Sequence, residues 1–188
     1  MYRKLHCLCH MWLEPTERKL RGISLTIVAF YYYLLRSGEY TKPRKVKRNG
    51  IMVRGTRTVQ FKVKDVGLWK DGKILPRRSS LSDLLQADAA TMKITNQKNG
   101  RTGQTLHHES TGPNGAVAVL ARRTHHILSN AGSENQCICD VCEDEVWTSV
   151  TSTENVHAVR QAAKSLKHDW CTFFTRYRHN GNENHGGN

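Results

Sequence analysis

Acidic residues are scarce in this chain. Its 188 residues carry 16 Asp and Glu against 29 Lys and Arg, a formal net charge of +13. None of the acids lies between Lys42 and Lys64. That imbalance points to a polyanionic partner, with nucleic acid the first candidate and an anionic membrane surface the second. Long apolar runs are lacking too. The longest, Ile23 to Leu35, is interrupted by Ser24 and Thr26. It is too short to span a bilayer, so it reads as a core helix and no membrane partner is expected. Met1 to Leu13 has basic residues but no sustained apolar region or cleavage site, so it reads as no secretory signal. No repeat period is visible. The six cysteines, Cys7, Cys9, Cys137, Cys139, Cys142 and Cys171, are unevenly spaced. Nothing in their pattern suggests export, so the expectation is reduced thiols in an intracellular protein, nuclear if the source is eukaryotic.

What is present is organised around Phe30 to Thr41. Glu14-Pro15-Thr16-Glu17 reads as a helix start, and Leu20, Ile23, Ile27, Phe30, Tyr31 and Leu34 follow at helical spacing. The helix ends abruptly in Leu35-Arg36-Ser37-Gly38-Glu39, with Gly38 suited to the closing left-handed position and Glu39 placed to orient Arg36. An arginine held this way can recognise a phosphate group. The plainer alternative is that Arg36 complements the helix dipole.

A basic segment follows, Lys42-Pro43-Arg44-Lys45-Val46-Lys47-Arg48-Asn49-Gly50. It reads as a loop or hairpin arm. Lys42, Arg44, Lys45, Lys47 and Arg48 are candidate phosphate contacts, and the same run could be a solvated nuclear-import signal. Val59, Phe61 and Val63 alternate with polar residues, which predicts a half-buried strand over Arg57–Lys64. Asp71-Gly72 marks a turn, and Ser80 to Gln86 a short helix burying Leu81, Leu84 and Leu85. Thr91–Thr95 and Gln104–His107 read as strands joined by a hairpin that carries Lys98. A helix after Pro113-Asn114-Gly115 buries Ala116, Val119, Leu120, Ile127 and Leu128. Arg122 and Arg123 on its remaining surface are further candidate DNA contacts. Thr151-Ser152-Thr153-Glu154 is a capping box for a last helix, with Val156, Val159, Ala163 and Leu166 as its buried stripe. The expected fold is therefore mixed α+β and mainly helical, with a small antiparallel sheet.

Cys137, Cys139 and Cys142 sit in an acidic loop. Cys139 and Cys142 have zinc-pair spacing, but the other pair, Cys7 and Cys9, is distant in sequence, so no metal is expected. A zinc-stabilised interaction protein stays open as an alternative.

Taken in order, these pieces resemble the catalytic domain of tyrosine recombinases, the phage-integrase-like family, in the versions carried by mobile elements of eukaryotic microbes. Leu35-Arg36-Ser37-Gly38-Glu39 resembles the family's first catalytic motif. Val59 to Val66, with Asp65, resembles the strand that follows. Ile94 to Gln104 resembles the hairpin bearing the catalytic lysine, and Val117 to Arg123 and Thr151 to Leu166 match the next two helices. The likeness spans roughly Glu17 to Lys167, so residues 1–13 are unassigned, 14–168 form a partial catalytic domain, and 169–188 are a non-matching tail. That tail ends in a stretch of Gly, Asn, Glu and His expected to be disordered.

The resemblance implies DNA strand cleavage and rejoining through a phosphotyrosine, without metal or other cofactor, on duplex DNA and with self-association on it. Arg36 would stabilise the phosphoryl-transfer transition state and Lys98 would protonate the leaving 5′ oxygen. The family's second arginine, histidine and nucleophilic tyrosine have no counterpart here. His157-Ala158-Val159-Arg160 has the letters of the His-x-x-Arg motif but falls inside the last amphipathic helix, and nothing around Tyr177 matches. The chain reads as a truncated or decayed copy. Its alternative is a non-catalytic basic nucleic-acid-binding module.

Overall fold

Two short sequences fix the first two hairpins among the described residues. Asn49-Gly50 and Asp71-Gly72 place both of their residues at positive φ (50° and 80°, 50° and 72°), the backbone that a two-residue hairpin turn demands. The first turn joins β1 (Lys45–Arg48) to β2 (Ile51–Arg54), and the second joins β3 (Val66–Lys70) to β4 (Lys73–Ile74). The protein is described from a computed structural model, which places residues 41–42, 45–54, 60–95 and 103–165.

β3 is the centre of a four-stranded antiparallel sheet of order β4-β3-β5-β6, where β5 is Ala89–Lys93 and β6 is Thr105–Glu109. The register pairs Val66 with Met92 and Leu68 with Ala90, and all four side chains are buried. They meet the apolar stripe of α2 (Ala116–Ser129), whose Val117, Leu120 and Ala121 belong to the same core. Between β4 and β5, the four-residue α1 (Leu81–Leu84) is capped by Ser80, whose hydroxyl accepts the Asp83 N–H at 3.2 Å. α1 places Leu84 in the core, while Leu81 is half-buried and Leu85 is exposed, against the expectation that all three are buried.

After α2 the chain forms a further hairpin, β7 (Asp140–Glu143) with β8 (Val146–Ser149). α3 (Ser152–Ser165) follows directly. Its start is the expected capping box, with Thr151 N–H donating to Glu154 Oε2 at 2.8 Å and Glu154 N–H to Thr151 Oγ1 at 3.2 Å. The buried residues described on α3 are Asn155 and Ala158, while Val156 is only half-buried.

The expectation of a mainly helical fold is corrected. Among the described residues three α-helices stand against eight strands in three antiparallel sheets. The difference comes from hairpins: the sheet has a fourth strand in β4, and the supposed cysteine loop is the β7–β8 pair. The strand expected over Arg57–Lys64 is also corrected within its described part. Phe61 and Val63 are buried and Lys64 exposed, as alternation predicts, but Gln60, expected on the polar side, is buried as well. Yet their backbone bonds run irregularly to a loop, with Ile138 N–H on Phe61 O (2.9 Å), Val63 N–H on Gln136 O (3.1 Å) and Lys64 N–H on Glu134 O (2.9 Å). The carboxylate of Asp65 captures the Lys62 N–H at 2.8 Å and tightens Val63–Asp65 into a 3-10 turn. The regular strand begins only at Val66.

Candidate nucleic-acid interface

The arginines nearest the core are committed to holding it together. Arg77 donates from Nε to Val66 O (3.0 Å), from Nη2 to Lys64 O (3.0 Å) and from Nη1 to Glu134 Oε2 (3.1 Å), clamping the irregular segment in place. Arg122, half-buried on α2, donates from Nη1 to Pro113 O at 2.7 Å.

Arg123 is 2% exposed, so the grouping of Arg122 and Arg123 as one DNA-facing pair gives way to two different roles. Its Nε and Nη2 both reach Ile138 O, at 3.1 and 3.0 Å, and Nη2 also donates to Asp140 O. Burial lowers its pKa to about 10, a shift opposed by the charge of the neighbouring Asp140 carboxylate. It is still a cation at neutral pH, and a buried cation requires its donors to be satisfied. The signal for this role is positional. Arg123 stands four residues after Val119 and four before Ile127, on the stripe that faces the core.

The acidic cysteine segment is what Arg123 holds. Asp140 Oδ2 accepts the Cys137 N–H at 3.3 Å, and Oδ1 accepts from Ser149 Oγ at 2.6 Å and from Cys139 Sγ at 3.9 Å. A hydrogen bond with Cys137, burial and the Asp140 charge all push the Cys139 thiol well up, which keeps it protonated and a poor nucleophile. His126 Nε2 accepts the Cys142 N–H at 3.2 Å, and its ring stands edge-on to Trp147 at 6.2 Å. Among the described residues no group of three His, Cys, Asp or Glu side chains is arranged to hold a metal ion. The chemistry here is that of a docked hairpin. No helix of the described residues is long and apolar enough to cross a membrane.

The exposed candidates gather elsewhere. Lys42 is exposed, and its N–H donates to Val150 O at 2.7 Å, one residue before the capping box of α3. Three residues later β1 begins. The register of the β1–β2 ribbon pairs Lys45 with Arg54, Val46 with Val53, Lys47 with Met52, and Arg48 with Ile51. This is the basic arm anticipated in the sequence, and of Lys45, Lys47 and Arg48 it is the backbone that is described. Ile51 and Met52, just past the turn, are 68% and 58% exposed.

Lys98 lies outside the described residues, as do Arg36, Glu39 and Arg44. The segment that contains Lys98 connects β5 to β6, and the hairpin closes beside it through Ile94 N–H on Gln104 O (2.7 Å) and Gly103 N–H on Ile94 O (2.8 Å). His157 and Arg160 are both exposed on α3, within the amphipathic helix as the sequence placed them. Compared with known proteins, the chain matches no family model, no curated protein and no solved structure.

Proposed function

We propose that this chain binds duplex DNA, is integrase-like in its chemistry, and is catalytically incomplete on its own. The observation that carries the reading is the β1–β2 ribbon: a two-stranded antiparallel arm, rich in Lys and Arg, inside a stretch of sequence with no acid from Lys42 to Lys64. A β-ribbon fits a groove of duplex DNA, and cations along it release counterions from the phosphates. Lys42, exposed three residues before β1, adds a further cation.

The integrase-like part of the reading rests on the resemblance. What supports it is the order of elements: β3, β5 and β6 pair antiparallel, and the β5–β6 hairpin is the one that contains Lys98. In this reading Arg36 and Lys98 are the surviving members of a phosphoryl-transfer site, and the protein self-associates on DNA. Without a nucleophilic tyrosine the covalent step is lost altogether, and each missing charged donor removes a further factor of about 10²–10³.

The test is to incubate the full chain with a nicked suicide duplex, then compare native and denaturing gels. The expected result is a salt-sensitive shift on the native gel and no covalent adduct on the denaturing one. An adduct would show the site to be complete, and the lack of any shift would remove DNA binding.

A further inference from the structure

We propose that Cys137 and Cys139 are a redox couple, which a hydroperoxide closes to a disulfide inside the turn that docks the β7–β8 hairpin on α2.

Both thiols are reduced in this structure. Asp140 N–H donates to Cys137 O at 3.0 Å, so Cys137 to Asp140 is a tight turn with the cysteines at its first and third positions. Two residues apart, their Cα atoms lie within about 7.2 Å even in a fully extended chain, and the turn shortens that span. A disulfide asks for about 4.4–6.8 Å. The side chains themselves meet. Cys137 packs against the cluster formed by Cys139, Val141, Val150 and Ala158, and the two thiols share a hydrogen bond. Asp140 binds both residues, with Oδ2 on the Cys137 N–H and Oδ1 on the Cys139 Sγ at 3.9 Å. Cys142 belongs to a different contact, its N–H donating to His126.

The two thiols differ in access. Cys137 is half-buried, and Cys139 is 1% exposed. A hydroperoxide therefore meets Cys137 first. The sulfur takes one oxygen, the O–O bond breaks, and the peroxide leaves as an alcohol, or as water if it is hydrogen peroxide. Cys139 Sγ then attacks the sulfenic sulfur of Cys137. The S–O bond breaks, and the departing hydroxide leaves as water with the proton that Cys139 gives up through Asp140 Oδ1. Two thiols and one hydroperoxide become one disulfide, one alcohol and one water. Cys139 is a poor nucleophile toward solvent, but its target is held in contact, and proximity replaces intrinsic reactivity. A ring this short removes little entropy from the unfolded chain, so the bond adds little stability and is readily reduced. It forms between the Ile138 and Asp140 carbonyls that Arg123 holds, within the contact that docks the hairpin.

The experiment treats the folded full chain with hydrogen peroxide, blocks remaining thiols with N-ethylmaleimide in denaturant, and digests with trypsin without reductant. The peptide Thr124–Arg160 contains Cys137, Cys139 and Cys142 and no internal Lys or Arg. Untreated protein should carry a maleimide on each of these cysteines. Peroxide should leave the peptide with a maleimide on Cys142 alone, located by fragment ions, and with the other two sulfurs joined. Dithiothreitol before blocking should restore all three adducts. Cys142→Ser should still close the bond, whereas Cys139→Ser should stop at a sulfenic acid on Cys137, trapped by dimedone. Full maleimide labelling after peroxide overturns the proposal. So does sulfinic acid on Cys137 without a disulfide, or a bond that joins either cysteine to Cys142, Cys7, Cys9 or Cys171 instead.

Discussion

Arg123 carries a positive charge at neutral pH in a place that water does not reach, so its hydrogen bonds decide whether the β7–β8 hairpin stays docked on α2. Arg123→Ala should cost about 3 kcal/mol, because it strands the Ile138 and Asp140 carbonyls in the core. Arg123→Lys should recover only part of this, since one ammonium cannot reproduce the planar fork on Ile138 O. Urea denaturation measures both. Neither change should alter the salt dependence of DNA binding, and an altered slope would mean that Arg123 reaches the phosphates after all. At this scale the sequence was only partly readable. Its count of cations is plain, but which of them face solvent depends on where α2 is rotated against the sheet. Arg77, Arg122 and Arg123 have structural partners that lie 9 to 57 positions away. No local pattern displays such partners.

Elements whose signals are local were legible. The capping box of α3, the turn at Asp71-Gly72 and a short helix after Ser80 all appear where their residues place them, and the basic segment expected as a loop or hairpin arm holds the β1–β2 hairpin. The β7–β8 hairpin was not legible, because its turn is made by Asp144 and Glu145 at φ of 47° and 65°, without the glycine that usually marks such a turn. The end of α2 departs in the same way. Gly132 N–H donates to Ile127 O at 2.9 Å, the bond that closes a Schellman motif, so the left-handed position falls on Ala131 at φ of 59° and not on the glycine beside it. Ala131 is exposed and its methyl packs against nothing in the core. Ala131→Gly should therefore stabilise the protein by about 0.5–1 kcal/mol, the relief of left-handed strain exceeding the extra entropy of glycine. A higher urea midpoint with unchanged m-value is the expected result. A lower midpoint would mean that the helix ends in some other way.

Across the whole molecule, the +13 charge is unevenly available. The four-stranded sheet and α2 bury a conventional apolar core, and the arginines nearest it clamp irregular backbone. Among the described residues the β1–β2 ribbon pairs with no other strand, and its sequence is rich in cations. Composition alone indicated a polyanionic partner, and period-2 patterning indicated a sheet. The extent of the sheet could not be read, because the extra strands are short, such as the two residues of β4, or lack alternation, as in β7. If the ribbon is the DNA-binding arm, its cations must set the electrostatics of binding. The most direct measurement is the slope of log K against log salt for duplex DNA, taken for the full chain and for Lys45→Gln/Lys47→Gln/Arg48→Gln. Three lost phosphate contacts should make the slope shallower by about 2.7, at roughly 0.9 per contact. An unchanged slope would contradict the account and assign those residues no part in holding DNA.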